Sequence, residues 1–116
     1  MKLTAKQRKS WRRYIAALRR QYPACYPVTV RTVRTPKNIC GDTGHANRRI
    51  VIRISNRLTY VERVDCLVHE WAHALDRYWQ RPEEHWHDEQ WGMWYSKCYC
   101  CISKASDELK REREQR

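Results

Sequence analysis

The 116-residue chain contains no phenylalanine, only three glycines and four prolines, and not one aspartate or glutamate before Asp42. So little glycine and proline excludes a collagen-like or a turn-rich disordered composition. With 41% hydrophobic residues there is apolar material for one modest core, and the length admits a single domain, residues 1–116. No apolar run approaches the ~18 residues of a membrane-spanning helix. The charges of Lys2, Lys6, Arg8 and Lys9 are not followed by an apolar stretch of the kind a secretory leader carries, so a cytoplasmic chain is expected. In that compartment the six cysteines read as reduced thiols, not as a disulfide scaffold. Six tryptophans and seven tyrosines take the place of phenylalanine and supply much of the core.

Thr4-Ala5-Lys6-Gln7 fits a capping box, and Trp11, Tyr14, Ile15, Leu18 and Tyr22 follow at helical spacing, so a basic helix is expected to about residue 22, where Pro23 stops it. Pro27 to Val33 is rich in β-branched residues and reads as a strand. Residues 36–49 carry turn signals around one short strand at most, and Ile50 to Ser55, with isoleucine at alternate positions, is a second clear strand. Thr59-Tyr60-Val61-Glu62 is another capping box, from which a helix should run to about Trp79. Gln80, Arg81 and Pro82 interrupt the pattern; a last helix is expected over about 83–105, with 106–116 as a charged, fraying or disordered tail. The class is α+β: an N-terminal helix, a small two- to three-stranded sheet, and two further helices.

The central helix carries His69-Glu70-Trp71-Ala72-His73, the H-E-x-x-H pattern. One turn of helix sets the two imidazoles on a common face, where both reach one metal ion, while the intervening carboxylate faces the water on that ion. Zinc held so lowers the water's pKa to about 7, and the carboxylate takes its proton as the oxygen attacks a polarised carbonyl. Chance places such a pattern in only about 1% of shuffled chains of this composition. At about 100° per residue, Val61, Val64, Leu67, Val68, Trp71, Ala74, Leu75, Tyr78 and Trp79 fall on one broad arc, with His69, Glu70 and His73 opposite.

A catalytic zinc takes three protein ligands and keeps one position open. The metzincin pattern would require glycine at 76 and histidine at 79, but these are Asp76 and Trp79, so that class is excluded. The third ligand is therefore sought in the last helix. His87 extends the stripe formed by Trp91, Trp94, Cys98, Cys101 and Ala105 and is preferred; His85, on the opposite side, and Glu83, one turn earlier, are the alternatives. His45 reads as a surface histidine. Cys98-Tyr99-Cys100-Cys101 reads as helix core and neighbouring surface.

His69-Glu70-Trp71-Ala72-His73 followed by His87-Asp88-Glu89-Gln90-Trp91 resembles the core of the SprT/Spartan-like zinc metallopeptidases, with their H-E-x-A-H helix and H-x-x-x-[WF] third-ligand helix. The resemblance spans about residues 24–105, and its specific part is the two histidine motifs. It implies a minimal zincin-like fold, one zinc ion held by His69, His73 and His87, Glu70 as general base, and an edge strand that pairs with extended substrate. The function expected is a zinc-dependent metalloendopeptidase that hydrolyses peptide bonds with a Glu-activated water and acts on nucleic-acid-associated proteins. The alternative is a basic nucleic-acid-binding module that keeps the zinc site without proteolysis. For oxyanion stabilisation Tyr60, Tyr95 and Tyr99 are the candidate donors.

The charge is uneven. Of the 24 lysines and arginines, 11 stand in the acid-free first 41 residues, so the +11 net charge belongs to that segment and the remainder is neutral. Arg12, Arg13, Arg19 and Arg20 on the first helix are the expected contacts to DNA or another polyanion, with a protein or peptide substrate as the other partner and no membrane.

Overall fold

A computed structural model describes residues 2–115. Helix α1 (Ala5–Gln21) is followed by strands β1 (Val28–Val33), β2 (Gly41–Ala46) and β3 (Arg49–Ser55), helix α2 (Tyr60–Asp76), two single 3₁₀ turns (Tyr78–Gln80 and Glu83–His85) and helix α3 (Glu89–Glu114). Among the described residues the fold is α+β: three helices and one small mixed sheet. Among the described residues no helix is long and apolar enough to cross a membrane.

Both capping boxes form. Thr4 and Gln7 exchange side-chain and backbone hydrogen bonds at the start of α1, as do Thr59 and Glu62 at the start of α2, so each helix begins where its orphan N–H groups find partners. The sheet has the order β1-β3-β2, with β1 parallel and β2 antiparallel to the central β3. β2 and β3 meet at Asn47 and Arg48, both at positive φ (53° and 59°), the backbone a tight two-residue hairpin requires. The isoleucine alternation in β3 puts Ile50, Ile52 and Ile54 on one fully buried face, against which α2 packs. α3 covers the other side of α2 and also packs on α1.

Trp71, at the centre of α2, is wholly buried, and its Nε1 donates to the Tyr22 carbonyl at 2.9 Å, which ties the end of α1 to the core. An indole buried so completely is worth about 3–5 kcal/mol against alanine. Arg63 is also buried, donating to the Asn56 and Leu58 carbonyls, so that a charged side chain holds the connection from β3 into α2.

Three expectations about the helices are corrected. α2 ends at Asp76 instead of Trp79, because Arg77 takes the left-handed conformation (φ 51°, ψ 56°) and its N–H closes back on the Ala74 and His73 carbonyls. Tyr78 and Trp79 thereby leave the apolar arc assigned to them. α3 begins at Glu89, not near 83, because the Asp88 side chain accepts from the Trp91 N–H and caps the helix there. It then continues to Glu114 through the segment expected to fray, since Leu109 is buried and Glu112 pairs with Arg13 of α1 at 2.8 Å. Arg116 lies outside the described residues. Of the cysteines, Cys66, Cys98 and Cys101 are buried and Cys25, Cys40 and Cys100 exposed, all as free thiols.

Candidate metal centre

His69 and His73 lie one turn apart on α2, and His87 enters from the residue just before the Asp88 cap of α3. Their Nε2 atoms converge: His69 to His73 is 3.1 Å, His73 to His87 3.1 Å and His69 to His87 3.2 Å. Tetrahedral zinc at about 2.0–2.1 Å from each nitrogen would hold them about 3.3–3.4 Å apart. Three imidazole nitrogens aimed at one point cannot satisfy one another by hydrogen bonding, but one cation satisfies all three lone pairs. Burial, then the neighbouring His69 and His87, pushes the His73 imidazole down to about 4; burial and His87 lower His69 as well. Both rings are therefore neutral at neutral pH, the state in which imidazole ligates a metal. Among the described residues these three histidines form a group able to hold a metal ion.

The Trp91 ring lies 4.9, 5.5 and 4.8 Å from the rings of His69, His73 and His87 and walls the group on one side. His73 is buried, and its Nδ1 has no hydrogen-bond partner among the described residues, while His69 keeps 38% of its side chain exposed and His87 is exposed, so the group opens toward solvent on their side.

Glu70 is buried, with Oε2 3.8 Å from His69 Nε2. Burial raises its carboxyl to about 7, against the lowering effect of a hydrogen bond from Thr43. The Thr43 hydroxyl of β2 reaches Glu70 Oε1 at 2.9 Å and the Glu70 carbonyl at 3.1 Å, so the sheet edge orients the carboxylate. A carboxyl poised near neutrality beside a cluster of imidazoles is suited to move a proton.

The helical angles of α2 separate a core face from a ligand face, but the structure covers both: Cys66, Glu70, His73 and Asp76 are buried alongside Leu67, Trp71 and Ala74. β2 and the loop before α3 close over the polar side. That loop is held by Arg81, which pairs with both carboxylate oxygens of buried Asp76 at 2.7 Å and also with Asp88. The Trp86 indole adds hydrogen bonds to the Tyr78 and Arg81 carbonyls, both at 3.0 Å. This network sets the position of His87 between Trp86 and Asp88. Arg81→Gln is expected to reduce metal affinity by about 10–100-fold while leaving all three histidines in place, as measured by competition with a chromophoric chelator; unchanged affinity would show that His87 is positioned without it.

The other sequence candidates fall elsewhere. His85 is exposed in a 3₁₀ turn, its Nδ1 4.0 Å from Asp88, and Glu83 is exposed in the same turn. His45 is on the surface as expected, but its ring is stacked between Tyr26 and Trp79, with centroids at 5.3 and 4.3 Å. Tyr60 and Tyr99 lie together in a groove away from the histidines, and Tyr95 lines a cavity with His69 and Glu70. The tyrosine that sequence reasoning missed is Tyr78: the left-handed Arg77 turns it toward the site, its ring lies 6.0 Å from that of His73, and its hydroxyl donates to the Thr43 carbonyl. No sequence signal marks a non-glycine left-handed residue, and Thr43, in a turn-rich stretch, carried none either.

On α1, Arg12 and Arg20 are exposed and make no ion pair among the described residues. Arg13 is committed to Glu112 and Arg19 to the Val28 carbonyl at 2.8 Å, so these two serve the fold. Compared with models of protein families, with curated proteins and with solved structures, the chain matches none.

Proposed function

We propose that the chain is a zinc-dependent metalloendopeptidase of the SprT/Spartan-like, minimal zincin type. The observation that carries this reading is the convergence of three imidazoles on one point, with the Glu70 carboxylate 3.8 Å from one of them and the group open to solvent. A structural site would require a fourth protein ligand, and the histidine group contains three residues. The donor set fits zinc, to be held by His69, His73 and His87. When bound, zinc would polarise a peptide carbonyl and acidify a water beside it.

The chain's own residues supply the rest. Glu70 accepts the proton of the attacking water at its carboxylate and returns it to the leaving amine, with Thr43 fixing the carboxylate through Oε1. Tyr78, on the rim of the cavity formed with His69, Glu70 and His73, gives up its hydrogen bond to the Thr43 carbonyl and turns its hydroxyl toward the charge that develops on the substrate carbonyl oxygen. β2 is an edge strand beside Glu70, so an extended substrate segment can pair with its free side. The test is cleavage of a denatured protein. Activity abolished by a chelator, restored by zinc and slowed about tenfold in Tyr78→Phe, with zinc content unchanged, is the expected result. Absence of cleavage by the zinc-loaded protein would leave the non-proteolytic reading.

For the basic segment, nucleic acid is the proposed partner, bound along the outward face of α1. DNA affinity should fall steeply with salt, and Arg12→Gln with Arg20→Gln should flatten the slope by about 1 for each phosphate no longer neutralised. Arg13 and Arg19 are left untouched in that test because their bonds to Glu112 and Val28 belong to the fold. An unchanged slope would remove α1 from the interface.

A further inference from the structure

Next to His69 and Glu70 the cleft widens into a cavity of about 490 Å³ between the start of α2, β2 and α3. Its charge is opposite to that of the protein. In a chain with 24 lysines and arginines, this wall carries the carboxylates of Glu62, Asp65 and Glu70 and no lysine or arginine. Leu58 and the Tyr95 ring supply apolar surface beside them.

The two outer carboxylates are available. Glu62 is fixed by its capping bond to the Thr59 N–H at 2.9 Å, and Asp65 is exposed, with no ion pair among the described residues despite the excess of cations. The floor is built tightly: a Cβ on Gly41 would come within 2.6 Å of both Cys66 Sγ and the Arg53 carbonyl, so only bare backbone fits there. Asp65 precedes His69 by one turn of α2, about 6 Å along the axis. That is roughly the length of a lysine or arginine stem, about 6–7 Å.

We propose that this cavity is a subsite for a lysine or arginine side chain flanking the scissile bond of the protein substrate. Its stem lies against Leu58 and Tyr95, and its cation is held by Asp65 with Glu62 behind it. Long basic side chains bury their methylenes on apolar surface while the charge seeks a carboxylate, which is the combination this wall offers. The assignment rests on the peptidase reading and narrows its substrate to proteins with accessible basic segments.

The experiment is a cleavage profile of the zinc-loaded full chain on a peptide library prepared from a denatured proteome with a glutamate-specific protease. Wild type is expected to favour lysine or arginine about tenfold over apolar residues at one position beside the cut. Asp65→Asn should lose most of that preference, and Asp65→Lys should turn it toward acidic residues, with the folded state of both verified by circular dichroism. A profile with no basic preference, or one that survives Asp65→Lys, overturns the subsite while the peptidase reading stands. No cleavage of any library member overturns both.

Discussion

Removing the His87 imidazole, in His87→Ala, is expected to lower zinc affinity by at least about 100-fold, whereas His85→Ala leaves it within about twofold. The three Nε2 atoms stand 3.1–3.2 Å apart, so each imidazole is one vertex of a triangle around a single point, and loss of any vertex leaves two nitrogens and solvent. Two ligands on one helix turn hold a divalent cation far more weakly than three, because the third closes the coordination shell and excludes water. His85 stands outside this triangle: it is exposed, and its carboxylate neighbours Glu84 and Asp88 are each 4.0 Å away. Competition with a chromophoric chelator measures both variants, and cobalt substitution reports the coordination geometry through its visible absorption. If His85→Ala did the damage and His87→Ala did not, the assignment of the third ligand would be wrong.

The second large effect belongs to Glu70. Glu70→Gln is expected to reduce cleavage by about 10²–10⁴-fold while zinc content stays at the wild-type level, because the amide keeps the Thr43 hydrogen bond but cannot accept a proton. Zinc retained with cleavage abolished separates a proton-transfer role from a ligand role; equal cleavage by both proteins would exclude Glu70 as the base. The same variant has a thermodynamic signature in the metal-free protein. Burial raises the Glu70 carboxyl to about 7 from 4.5, so the folded state binds this proton more tightly than the unfolded state does. The stability tied to that proton is fully present below pH 4.5 and is lost as pH rises through 7. Glutamine carries no charge to desolvate, so metal-free Glu70→Gln should be more stable than metal-free wild type above pH 7 by an amount approaching about 3 kcal/mol, and by little at pH 4.5. Urea titrations at the two pH values give the difference.

Much of the fold was legible in the chain because its signals are local. Thr4-x-x-Gln7 and Thr59-x-x-Glu62 set two helix starts, since a capping box involves only residues three apart. The isoleucines of β3 marked its buried face through a period of two, and Pro23 lies just past the end of α1. The helix ends were less legible. Arg77 terminates α2 by adopting a backbone conformation that its residue type disfavours, and Asp88 decides the start of α3 in competition with a plausible earlier start. The tail after residue 105 read as fraying because its composition is charged, but a single buried leucine and one ion pair to α1 hold it helical.

The same division runs through the candidate site. The i, i+4 spacing of His69 and His73, with Glu70 between them, determined by itself that two imidazoles and a carboxylate would share one side of a helix, since helical geometry is a property of the backbone. It is likewise a matter of sequence alone that the net positive charge lies in the first 41 residues. The preference for His87 over His85 came from sequence too, though from a helix register that does not exist, because residue 87 precedes α3. Only the tertiary structure decided that β2 lays Thr43 on Glu70, that Tyr78 turns inward, that Arg81 bridges Asp76 and Asp88, and that an acidic cavity opens beside the histidines in a basic protein. These pairings join residues up to 35 positions apart and are set by how the sheet and the helices pack. No local spacing encodes them.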